Sequence, residues 1–186
     1  MEFKGFKINI IILVIVVVIG LFFSAQYLFK VYNVDKPIKN EILALKGIKD
    51  VSIIDNNDQK DLLIDFHSGI DFYNSYQAVN QIMQDKLGSK SGNIIISKND
   101  QENEELDDIY YKLHYAIYQG ISTGYFVEME KNVESIVDIY ELDNHKIWVD
   151  NDAIYIQLDN NNKSLYKRIS YNNSSLVESE GGGSIG

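Results

Sequence analysis

No cysteine occurs among the 186 residues. That absence rules out disulfides, thiolate nucleophiles, Cys-ligated zinc, iron–sulfur clusters and a lipidated cysteine, so packing and hydrogen bonding must hold the folded part together. Proline and tryptophan occur once each, and arginine only as Arg168. The three histidines, His67, His114 and His145, fall in three separate elements with no His-x-x-x-His spacing, which leaves them as surface or packing residues. Positive charge is also scarce: 17 Lys and Arg stand against 27 Asp and Glu, a net charge of −10, and the lysines do not cluster. Such a chain repels polyanions and lacks the basic footprint of a nucleic-acid binder. Also missing are a glycine-rich phosphate loop, a nucleophile elbow and a glycosidase-like carboxylate signature. The residues therefore read as a non-enzymatic protein with no catalytic residue, cofactor site or metal site.

What the chain does have is a long apolar run at residues 8–29, in which ten successive positions from Ile10 onward are Ile, Leu or Val. Only Asn9, Ser24 and Gln26 are appreciably polar. As a helix the run spans roughly 33 Å, enough for a hydrocarbon core of about 30 Å. A cleaved signal peptide is the competing reading, with Lys4 and Lys7 as its basic start and Ser24-Ala25 as its end. Phe23 stands where such a cleavage site wants a small residue, and the run is long for a signal, so an uncleaved anchor is expected. Lys4, Lys7 and the terminal amine are nearly balanced by Lys30, Lys36 and Lys39. The short basic tail at 1–7 is typical of an N-terminus kept in the cytoplasm, which places the rest of the chain outside as a single-pass membrane protein.

Behind the anchor the patterning is that of a water-soluble α+β protein. Asp35-Lys36-Pro37 opens a short amphipathic helix with Ile38, Ile42 and Leu45 on one face, ended by Gly47. Strands are expected at Val51-Ser52-Ile53-Ile54 and Leu62-Leu63-Ile64-Asp65-Phe66, with a polar turn from Asp55 through Asp61 between them. Ser68 and Asp71 resemble a capping box ahead of a helix whose buried face is Phe72, Tyr76, Val79, Met83 and Leu87, stopped by Gly88. A third strand follows at Asn93-Ile94-Ile95-Ile96-Ser97. This α-β-β-α-β module occupies 35–98.

After a polar boundary, Leu106, Ile109, Tyr110, Leu113, Ile117, Gly120 and Ile121 keep helical spacing up to Ser122-Thr123-Gly124. A second helix carries Phe126, Val133, Ile136, Val137 and Tyr140, so a helical hairpin is expected. Three strands, beginning at Lys146, Ala153 and Ser164 and separated by Asn/Asp turns, make an antiparallel meander for the hairpin to pack on. That α-α-β-β-β module occupies 102–171, and the Asn-, Ser- and Gly-rich residues 172–186 have the composition of a disordered tail.

Several acidic groups invite a site. The segment from Asp55 to Asp61 offers oxygen ligands, but Lys60 stands where a calcium loop needs glycine. Asp150 with Asp152, and Asp159 with its asparagines, read as turns, while Glu104-Glu105 and Asp107-Asp108 read as a solvated helix start. The most informative excess is aromatic. Tyr110, Tyr111, Tyr115, Tyr118 and Tyr125 fall on several faces of the expected hairpin, and only one face can be core. Core and rim packing accounts for part of that set. Tyr111, Tyr115, Tyr118 and Tyr125 form the candidate interaction surface, because tyrosine supplies contact area and a polar tip at small entropic cost.

Residues 37–97, with Ile48-Lys49-Asp50-Val51 leading into the hairpin, resemble in element order the ring-building α-β-β-α-β modules of bacterial sporulation and secretion assemblies. The chain as a whole, through Leu113-His114-Tyr115-Ala116-Ile117-Tyr118-Gln119-Gly120 and Lys146-Ile147-Trp148-Val149, resembles single-pass membrane-anchored proteins of clostridial-type bacteria. The likeness implies a bacterial envelope setting and transfers no site residues. The expected partners are the lipid bilayer, through 8–29, and either another protein or a second copy of the chain. A sensory domain that takes a small ligand or ion is the alternative.

Overall fold

The computed structural model describes residues 2–3, 6–97 and 104–171; the expected disordered tail at 172–186 and most of the polar boundary near 98–103 lie outside them. Short strands β1 (Glu2–Phe3) and β2 (Phe6–Lys7) pair antiparallel ahead of α1 (Ile8–Lys30). Within α1, the span Ile10–Phe29 is long and apolar enough to cross a membrane, and none of it is covered by the rest of the chain. A π-helical turn, Val31–Asp35, joins it to α2 (Lys36–Leu43), which has proline in its first turn and buries Ile38 and Ile42.

The α+β order expected from the sequence is the one observed. Strands β3 (Ile48–Asn56) and β4 (Gln59–Phe66) form an antiparallel hairpin, and β5 (Ser91–Ile96) lies parallel to β4 on its other side, giving the order β3-β4-β5. The crossover from β4 to β5 is α3 (Phe72–Leu87), and Phe72, Tyr76, Val79, Met83 and Leu87 are its buried residues. Next come α4 (Glu104–Thr123) and α5 (Phe126–Val137), then the antiparallel meander β6 (Asn144–Val149), β7 (Ala153–Asn160) and β8 (Lys163–Ser170) with β7 in the middle.

Two local expectations need correction. The hairpin turn is only Asn57-Asp58, with Asn57 at φ 55°, so Lys60 and Asp61 belong to β4 and are buried. Asparagine tolerates the left-handed conformation, which lets the ladder run to Asn56↔Gln59 and draws polar residues into the strands. Ser68 does not open α3. Asp71 is itself the N-cap, its Oδ1 accepting the Asn74 N–H at 3.2 Å, because Gly69 at φ 69° turns the chain immediately before it.

Every residue of β7 is buried. Side chains alternate along a strand, so Ala153, Tyr155, Gln157 and Asp159 share one face and Ile154, Ile156 and Leu158 the other. Tyr155 joins the core of α2, α3 and the first sheet, while the isoleucines and Leu158 join the core of α4 and α5. Phe72, at the start of α3, touches both sheets: its ring is 5.4 Å from Phe66 in β4 and stacks at 4.9 Å on Tyr166 in β8. Burial of one such ring is worth about 2–3 kcal/mol.

The junction is also hydrogen-bonded. Buried Gln157 accepts the Phe72 N–H (3.2 Å) and donates to the Ile70 carbonyl and to Asp159 Oδ2 (both 2.7 Å). The Tyr166 hydroxyl donates to the His67 carbonyl at 2.9 Å, and the Gly69 N–H donates to Ser164 Oγ at 2.9 Å. Together these bonds fasten the start of α3 to the second sheet.

Candidate functional site

Helix α4 buries Leu106, Ile109, Leu113, Ala116, Ile117 and Gly120 against α5 and β7. That choice of face turns Tyr111 and Tyr115, four residues apart, toward solvent, where they are 62% and 63% exposed. They are not independent. Their rings meet edge to face at 5.7 Å and their hydroxyls are 2.9 Å apart. The bond to Tyr111 pushes the Tyr115 phenol above its ordinary pKa. His114 extends the ladder: it lies 6.0 Å from Tyr115, 6.1 Å from Tyr110 and 4.2 Å from the ring of Tyr118.

Of the four candidate tyrosines, Tyr111 and Tyr115 therefore form one exposed patch. Tyr118 is half-buried and stacks on His114 beside them. Tyr125 is exposed but stands past the end of α4, whose Thr123 is about 18 Å along the helix from Tyr111. Lysines frame the patch. Lys112 Nζ lies 4.7 Å over the Tyr140 ring and donates to its hydroxyl, and Lys167 Nζ lies 5.1 Å over Tyr110. The patch thus offers rigid aromatic edges, hydroxyls able to donate or accept, and cations already resting on rings.

The histidines do not converge: His114 is in this ladder, His145 is on β6, and the carbonyl of His67 serves Tyr166. Among the described residues no group of three or more His, Asp or Glu side chains is gathered to hold a metal ion. Asp150 makes a turn, its Oδ1 accepting the Asp152 and Ala153 N–H groups, and Asp159 is occupied by Asn144 and Gln157. Glu104, Glu105, Asp107 and Asp108 are exposed at the start of α4.

Two features were invisible in the sequence. One is a polar cluster between α3 and the second sheet, where the Arg168 guanidinium lies 5.6 Å from the Tyr76 ring and 5.7 Å from that of Tyr155. Burial pushes the Tyr76 phenol up to about 12, and burial also raises Tyr155. The other is a groove of about 460 Å³ between α5 and β6, lined by Phe126, Met129 and Val133 on one side and Ile147, Trp148 and Val149 on the other. No protein-family profile matches the chain, and neither the curated proteins nor the solved structures contain a match to it.

Proposed function

We propose that this chain is a membrane-anchored, extracytoplasmic interaction protein of a bacterial envelope, which acts by binding another protein or a second copy of itself and catalyses no reaction. The anchor is the fully exposed apolar helix Ile10–Phe29, whose side chains find an apolar environment only in lipid. Confinement to a membrane surface raises effective concentration, so a small contact patch suffices for association.

The observation that carries the reading is the Tyr111–Tyr115 pair, more than 60% exposed yet already fixed by its own hydroxyl contact. Exposed aromatic side chains held in one geometry lose little entropy on binding, and such residues concentrate in interface hot spots. The ring-module likeness in element order favours a lateral assembly. A photo-crosslinking amino acid at position 115, activated in intact cells, is expected to give a discrete higher-mass adduct that disappears when Tyr111 is changed to Ala. Absence of any adduct at 115 and 111 would remove the patch as an interface and the reading with it.

A further inference from the structure

The groove between α5 and β6 has a second property besides its volume. β6 is an edge strand of the second sheet, paired with β7 on one side, and among the described residues no strand pairs with its other side. An open edge presents a row of backbone N–H and C=O groups, and native chains usually blunt it with a central charge. β6 carries such a charge in Lys146, but the residues of β6 alternate between faces. Lys146 and Trp148, opposite Gln157 and Tyr155, belong to the α3 side, and the Lys146 ammonium lies 5.7 Å over the Trp148 ring. His145, Ile147 and Val149, opposite Leu158, Ile156 and Ile154, belong to the α5 side, where they form the groove. The guarded face is thus the one away from the groove.

We propose that the α5–β6 groove receives an extended, basic segment of another protein, which adds to the sheet as a fourth strand beside β6. The six residues of β6 are about 20 Å long, which sets the length of backbone available for pairing. Alternate side chains of the added strand point to the groove face, against Phe126, Met129 and Val133, and the volume falls within the range of about 300–1,000 Å³ of ligand clefts. The charge preference comes from α5, whose Glu130 and Glu134 line the groove and are exposed. A second copy is disfavoured as occupant. Two β6 edges pair antiparallel about an axis normal to the sheet, which keeps both α5 helices on one face and brings Glu130 and Glu134 toward their duplicates.

This site is on a different helix from Tyr111 and Tyr115, so its failure leaves the interaction patch on α4 untouched. The Trp148 ring lies on the opposite face of β6, stacked on Tyr73 at 5.8 Å, so occupancy is read from the heat of binding in a calorimetric titration. The probe is a six-residue peptide of alternating lysine and valine, titrated into the full chain in a non-ionic detergent. A saturable heat of binding is expected, with affinity at least about tenfold weaker when Glu130 and Glu134 are both changed to Lys. The same peptide N-methylated along one edge, which removes the ladder donors without changing charge, is expected to bind at least about tenfold more weakly to the unaltered protein. No saturable heat up to about 1 mM overturns the proposal. So does equal binding of the N-methylated peptide, or of a glutamate–valine peptide, since either outcome excludes strand addition to a groove with an acidic rim.

Discussion

Lys60 Nζ lies 2.7 Å from Asp35 Oδ1 and 2.9 Å from Asp55 Oδ1, so one ammonium ties the turn that follows the apolar helix α1 to the first hairpin. The lysine is only 7% exposed. Asp35 occupies the N-cap position of α2 yet makes no side-chain cap there, because its carboxylate is turned to Lys60. The next residue repeats the pattern: Asp61 Oδ1 accepts the Asn93 N–H at 2.6 Å and its Oδ2 accepts from Asn56 at 3.0 Å, joining β3, β4 and β5. Helix α1 therefore joins the rest of the chain through a fixed ionic joint.

Replacing Lys60 by Met is expected to destabilise the domain by about 2 kcal/mol. Both carboxylates lose their shared cation, and they are exposed enough for water to recover part of the loss. Burial lowers the Lys60 pKa, but the hydrogen bonds to Asp35 and Asp55 outweigh it and the folded value is raised. A raised cationic pKa stabilises fully below the unfolded value, near 10.4, and the contribution is lost as pH climbs through the folded value. Urea unfolding at pH 7 and at pH 11.5 checks this: the gap between wild type and Lys60→Met should narrow at the higher pH.

The buried phenols give a second alkaline signature. Tyr76 is pushed up to about 12 by burial, and burial also raises Tyr155 and Tyr166. In the unfolded chain these groups ionise near pH 10, so folding stability is intact below pH 10 and falls as pH rises toward 12. Tyr76 alone accounts for a loss on the order of 3 kcal/mol across that interval. Absorbance at 295 nm should show a late, cooperative ionisation step that coincides with loss of far-UV dichroism. Tyr76→Phe should delay that step.

Much of this architecture was legible from spacing. The buried set of α3 and the core positions of α4 repeat at three and four residues, and that period forces them onto one face. Spacing does not reveal what lies opposite that face. Ala153, Tyr155 and Gln157 alternate with Ile154, Ile156 and Leu158, and nothing in β7 itself says that both faces meet a helix. The turn between β3 and β4 was overestimated because Lys60 and Asp61 are charged, and charge is a guide to exposure only when no partner waits inside. The α5–β6 groove joins Met129 and Val133 to Ile147 and Val149. Periodicity marks such residues as apolar without showing the gap between them.

Gly120 tests how closely α4 and α5 approach. A Cβ at this position would lie 2.7 Å from Met129 Sδ and 2.8 Å from Met129 Cβ, so the helices or the methionine would have to shift. Alanine is the better helix former by about 1 kcal/mol, and overpacking costs about 1–3 kcal/mol. Gly120→Ala is therefore expected to lose about 1 kcal/mol net in chemical denaturation, and in a double-mutant cycle Met129→Ala should recover only the part of the clash due to Cγ and Sδ, since alanine keeps the Cβ 2.8 Å away.

Gln157 tests the weld between α3 and the second sheet. Leucine of similar size would remove the acceptor for the buried Phe72 N–H and the donor to the part-buried Ile70 carbonyl. Unsatisfied groups there cost about 1–3 kcal/mol, so Gln157→Leu should unfold at lower denaturant with little change in slope. Hydrogen exchange should then accelerate most at the start of α3. Uniform acceleration across the chain would mean that Gln157 contributes only to global stability and does not lock this junction.

Because the chain has no cysteine, a single one introduced at Asn151 reports membrane orientation without background. Asn151 is exposed in the tight turn between β6 and β7 and is not among the residues that line the α5–β6 groove. A membrane-impermeant maleimide applied to intact cells is expected to label Asn151→Cys before lysis, while a cysteine at Lys4 is labelled only afterward. That pattern follows from a short basic segment retained in the cytoplasm and the acidic domain carried across. The reverse pattern would place Lys60, the groove and the tyrosines on the cytoplasmic face, and the partner for the acidic rim would then be sought among cytoplasmic basic segments.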